Sequence, residues 1–153
     1  MKLKRRDGLV KYVINMEDLE RFIKAQEYSY PIALKEIQSG RKKGHWIWYV
    51  FPQLKGLGHS YNSEYYGIAD FEEAKAYLSH PILVQRLEEI TEALLGLPQD
   101  MTAREILGGI AAMKVKSSMT LFYMASKEKL YKDVLDRYYN GDMDTRTLDI
   151  LSA

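Results

Sequence analysis

The chain has no cysteine in its 153 residues. That absence excludes disulfide scaffolds, thiolate metal sites, cysteine nucleophiles and thioredoxin-like redox chemistry, and it fits a reducing, cytoplasmic setting. There are four prolines and no long Ser, Gly or Pro tract, so no stretch reads as an inter-domain linker or a low-complexity segment. No apolar run approaches the roughly 20 residues of a membrane span, and the first residues lack the apolar core of a signal peptide. A membrane is therefore not an expected partner. Three histidines without HxH or HxxxH spacing give no metal signature. No cofactor is expected either: Gly56-Leu57-Gly58 lacks the third glycine and the preceding strand of a dinucleotide motif, and no Gly-Lys-Ser/Thr phosphate loop occurs. Net charge is almost absent, with 22 Lys and Arg against 21 Asp and Glu. Together with the lack of an RNA-binding motif, that argues against RNA.

What is present reads as helix. At 17.8 kDa and 46% apolar residues the chain can bury one sizeable core. Leu19, Phe22, Ile23, Tyr30, Ala33, Leu34 and Ile37 recur at helical spacing between Asn15 and Gly40. Asp70 with Glu73, and Thr102 with Glu105, form capping-box pairs ahead of apolar stripes, and His80-Pro81 suits a helix start. Further helices are expected after Ser126, ending at Gly141, and from Thr145 to Leu151. Only His45 to Phe51 and Val115 to Tyr123 have strand-like composition, and no hairpin turn joins either to a partner. The expectation is an all-α, compact single-domain bundle of about five to seven helices over residues 15–153, preceded by a basic, mobile segment at 1–14.

Charge is balanced overall but unevenly placed. Residues 41–63 carry Arg41, Lys42, Lys43 and Lys55 with no acid, and residues 106–127 carry Lys114, Lys116 and Lys127 with no acid. The first of these stretches packs cations, a histidine and two tryptophans around Gly44, while the second offers Lys114, Lys116, Ser117, Ser118 and Thr120. Cations and hydroxyls bind phosphate or carboxylate, and indole faces stack on flat rings. The expected ligand contacts are Arg41, Lys43, His45, Trp46, Trp48, Lys114, Lys116, Ser117 and Ser118, with His45 as the candidate for proton transfer. No G-x-S-x-G elbow surrounds the hydroxyl residues, so they are not read as nucleophiles. Two readings stand. One is a domain that binds or acts on a phosphate- or nucleotide-bearing small molecule. The other is an interaction module that uses the same aromatic-basic surface to dock an acidic peptide or a second copy of itself.

The motifs GRKKGHWIWYVFPQL (residues 40–54), Tyr66-Gly67-Ile68, EEAKAYLSHPIL (72–83), KVKSSMTLF (114–122) and DTRTLDIL (144–151) carry a resemblance. In this order they are similar to the bacterial domain-of-unknown-function family numbered 1810, which also bears a calpastatin-like label from which no function is taken. The resemblance covers about residues 16–151 and implies a compact all-α cytoplasmic domain without an established reaction. Family members usually have Ser before the His-Trp pair and an acid before the later Lys motif, where this chain has Gly44 and Ala111-Ala112.

With no recognised ligand spacing, chelation of divalent metal is expected to leave the melting temperature unchanged. A fall of several degrees in a thermal scan with EDTA would contradict this.

Overall fold

The computed structural model describes residues 8–153, with side chains from Asp18 onward; the basic stretch Lys2 to Arg6 lies outside the described residues. Nine helices follow one another among them: α1 (Gly8–Gln38), α2 (Ile47–Val50), α3 (Tyr61–Tyr65), α4 (Phe71–Ser79), α5 (Pro81–Leu95), α6 (Ala103–Leu107), α7 (Gly109–Ser126), α8 (Lys129–Tyr139) and α9 (Thr145–Ser152). The architecture is all-α, as the patterning implies, but the count exceeds five to seven. The additions are α2 and α3, each about one turn long, and α7, which contains the strand-like stretch Val115 to Tyr123. His45 to Phe51 is likewise not a strand, since Ile47–Val50 is helical. α1 begins at Gly8, well before Asn15. Ser126 closes α7 rather than capping α8, although its hydroxyl still accepts from the Glu128 N–H at 3.0 Å.

α7 is the central helix. It packs against α2, α4, α6, α8 and α9, and Ala111, Ala112, Val115 and all six residues from Ser117 to Phe122 are buried. A helix covered on nearly every side needs apolar or small residues all round, which erases the 3.6-residue alternation that marks a surface helix. Around it the expected caps form. The Thr102 and Glu105 side chains make the reciprocal capping box of α6, and His80 Nδ1 accepts from the Ile82 N–H at the start of α5. Asp70 accepts from the Glu73 N–H, but Glu73 does not reciprocate.

The Glu73 carboxylate is used elsewhere. It lies 2% exposed, accepts from the Ala69 N–H at 2.7 Å and pairs with Arg21 at 3.1 Å. Arg21 also donates to the carbonyls of Tyr65 and Gly67, at 2.7 and 2.9 Å. Removing either partner would strand a buried charge, so the pair acts as a fixed tie between α1, α4 and residues 65–69. Ile68 then accepts from Lys55 N–H at 2.8 Å and donates to the Gln53 carbonyl at 2.9 Å, which fixes residues 53–55. At Gly67 a Cβ would lie 2.7 Å from the Lys55 Cα, so only glycine permits this close approach.

Leu87 and Leu135 are 1% and 0% exposed, on α5 and α8, helices that pack on each other. Truncating either to Ala is expected to cost about 2–5 kcal/mol, read as a fall in the denaturant midpoint. Unmoved midpoints for both would show that these faces are not core.

Candidate ligand-binding site

The basic loop after α1 is held by one carboxylate oxygen. Glu36 Oε1 accepts from the backbone N–H groups of Lys43 and Gly44 at 2.8 and 2.9 Å, and from the Trp46 indole Nε1 at 2.8 Å. Burial pushes this carboxyl upward, but the three donors and the nearby Lys42 ammonium outweigh it and hold its pKa below the usual glutamate range. Gly44 fits the tight turn, since a Cβ there would meet Trp46 Cδ1 at 2.9 Å. The Lys42 N–H donates to the Ile106 carbonyl at 2.7 Å. The two acid-free segments therefore meet, joined by backbone at the end of α6.

Next to this junction α7 starts without a cap. Gly108, at φ +85°, is its N-cap and offers no side-chain acceptor. The N–H groups of Gly109, Ile110 and Ala111 have no hydrogen-bond partner among the described residues. A hollow of about 550 Å³ opens over this turn, walled by Lys42, His45, Trp48, Arg104 and Lys114 above the backbone of Gly108 to Ala111. No Asp or Glu lines it. Lys114 is half-buried, has no acidic partner among the described residues, and burial alone pulls its pKa below the usual lysine value. Burial lowers Lys42 too, with Glu36 opposing. Free N–H groups at a helix start, three cations and an indole face make a concave site for an anion that carries a flat ring.

A second hollow of about 310 Å³ adjoins the first, sharing Ile110 and Lys114. It adds Gln53, Lys116, Ser117, Asp144 and Arg146, with Leu57 and Met113 at its apolar side. Ile110 and Met113 are 75% and 70% exposed. Arg146 donates to the Leu57 carbonyl at 3.3 Å.

The nine expected contacts thus divide. His45, Trp48 and Lys114 line the larger hollow, while Lys116 and Ser117 line the smaller one together with Lys114. Arg41 and Lys43 are exposed and line neither. Trp46 is 2% exposed with its N–H on Glu36, and Ser118 is 0% exposed, so these two are interior residues rather than contact surfaces. Sequence reasoning missed Glu36, Arg104 and Gln53. The first acts through backbone donors, the second sits in an acid-rich stretch, and the third is an uncharged residue. The Gly108-Gly109 pair was the one legible sign of an uncapped helix start.

Residues 16–151 match the family described as "Protein of unknown function (DUF1810)", a description without calpastatin-like wording. The chain is also similar to the conserved hypothetical protein Rv1873 from Mycobacterium tuberculosis, known from a crystal structure. The two are 43% identical with a TM-score of 0.87, over 89% of this chain and 97% of that one. No curated protein matches the chain.

Because the folded state holds the Glu36 carboxyl below its ordinary pKa, its contribution to stability is present above the unfolded value of 4.5 and is lost as pH falls through the folded value. Glu36→Gln is expected to lower stability at pH 7 by no more than about 1 kcal/mol, since the site is solvent-screened, and to flatten the fall below pH 4.5. A variant with wild-type acid dependence would exclude the clamp as a contributor.

Proposed function

The chain belongs to the DUF1810 family, and from its site we propose that it binds a small molecule bearing phosphate and a flat ring. The observation that carries this reading is the acid-free hollow at the uncapped start of α7. Phosphate oxygens accept from the N–H groups of Gly109, Ile110 and Ala111, and Lys42, Arg104 and Lys114 supply the counter-charge. The half-buried Trp48 offers a stacking face to the ring, and His45 stands at the same hollow as the group available to move a proton. Partial burial of unpaired Lys114 costs folding free energy, because the folded chain holds its proton less tightly than the unfolded chain. An anion that binds only the folded state repays that cost. The interaction-module reading draws on exposed Ile110 and Met113, but a docking patch on those two residues needs no half-buried cation without an acidic partner.

The test is a thermal scan with inorganic pyrophosphate at low millimolar concentration against chloride at equal ionic strength. Pyrophosphate should raise the melting temperature by several degrees, at about 2–4 °C per kcal/mol of binding linkage for a chain of this size. Lys114→Met should melt no lower than wild type in chloride and should lose the pyrophosphate effect. Equal stabilisation of both proteins would place the anion elsewhere, and none in either would refute the reading.

A further inference from the structure

The two hollows share a wall but differ in chemistry. The larger is lined by cations and no acid, whereas the smaller mixes the cations Lys116 and Arg146 with an amide, a hydroxyl and a carboxylate. Gln53 is 8% exposed and lines the hollow, and its side-chain amide makes no hydrogen bond among the described residues. An amide facing a hollow is matched best by a partner that both donates and accepts. Ser117 Oγ donates to the Met113 carbonyl at 3.2 Å and keeps its lone pairs available. Asp144 caps α9 through the Thr147 N–H, yet its carboxylate still lines the hollow. A bare phosphate would be repelled by that carboxylate and has little to donate to Gln53. Hydroxyl groups satisfy all three residues, because each hydroxyl is donor and acceptor at once.

We propose that the smaller hollow is a second subsite of the same ligand and takes a hydroxylated group, so that the ligand belongs to the nucleoside diphosphate sugar class. This rests on the phosphate-and-ring reading of the larger hollow. Lys114 lines both hollows and so sits where a diphosphate linking the two ends must pass. The ring then lies on Trp48, the diphosphate lies over the start of α7, and the sugar hydroxyls meet Gln53, Ser117 and Asp144. The two hollows are open and adjoining, at about 550 and 310 Å³, which leaves room for both ends.

Calorimetric titration of the purified protein with UDP and with UDP-glucose tests this directly, with ADP and ADP-glucose run alongside because the ring's identity is left open. The sugar nucleotide should bind at least about tenfold more tightly than its matching diphosphate. Gln53→Leu removes an amide that makes no hydrogen bond and should fold normally; it should abolish the sugar's advantage and leave diphosphate affinity unchanged. Lys116→Met should reduce the same advantage. Diphosphates that bind with no gain from the sugar, or a gain that survives Gln53→Leu, would overturn the second subsite and leave the larger hollow's reading standing. Absence of binding by all four nucleotides, with pyrophosphate still stabilising, would also overturn it. Loss of the pyrophosphate effect as well would overturn both.

Discussion

Everything at the candidate site depends on one oxygen of Glu36. Its position on the last turns of α1 collects two backbone N–H groups and an indole N–H from the loop that follows. The loop so held presents its next backbone donor, at Lys42, to the end of α6, and the helix that follows α6 begins without a cap. The clamp also disposes of charge. The Glu36 carboxylate is the acid nearest the basic loop by contact, and its accepting oxygen is committed to donors of that loop while the hollow at α7 holds none. The same carboxylate offsets the charge of Lys42 on the wall and leaves Lys114 without an acidic partner among the described residues.

A second tie does the same for the smaller hollow. Arg21 and Glu73, an ion pair with little exposure, fix residues 65–69, and the Ile68 backbone then grips Lys55 and Gln53. Both ties run from α1 to loops, and both place polar residues where folding alone gains nothing from them. Gln53 makes no hydrogen bond and half-buried Lys114 has no acidic partner among the described residues, and both face a hollow. Polar groups left so are available to complete a ligand's set of contacts. The coincidence of both around adjoining hollows is the physical basis of the functional reading.

Much of the fold was legible because surface helices announce themselves through caps and stripes. Thr102 with Glu105 and His80-Pro81 act as their sequence suggests, and Leu87, Ile90 and Leu94 face the core of α5. α7 was not legible, since burial of six consecutive residues leaves no polar face to set the period. α2 and α3 are too short for any pattern and exist through tertiary contacts. Of the site, the absence of acids marked two stretches that touch through the Lys42 N–H and the Ile106 carbonyl. It misassigned Trp46 and Ser118, because composition cannot distinguish an indole or hydroxyl that faces the core from one that faces a cleft. Glu36 and Glu73 were hidden for another reason: their partners are backbone groups and a distant arginine, neither of which leaves a local mark.

The central claim is that the start of α7 is an anion site. Amide chemical-shift mapping during titration with inorganic pyrophosphate tests it at the atoms concerned. The account predicts saturating shifts concentrated on the N–H groups of Gly109, Ile110 and Ala111, with smaller ones at Lys42 and the Trp48 indole. Shifts confined to exposed Arg41 and Lys43, or spread evenly over the surface lysines without saturation, would contradict it.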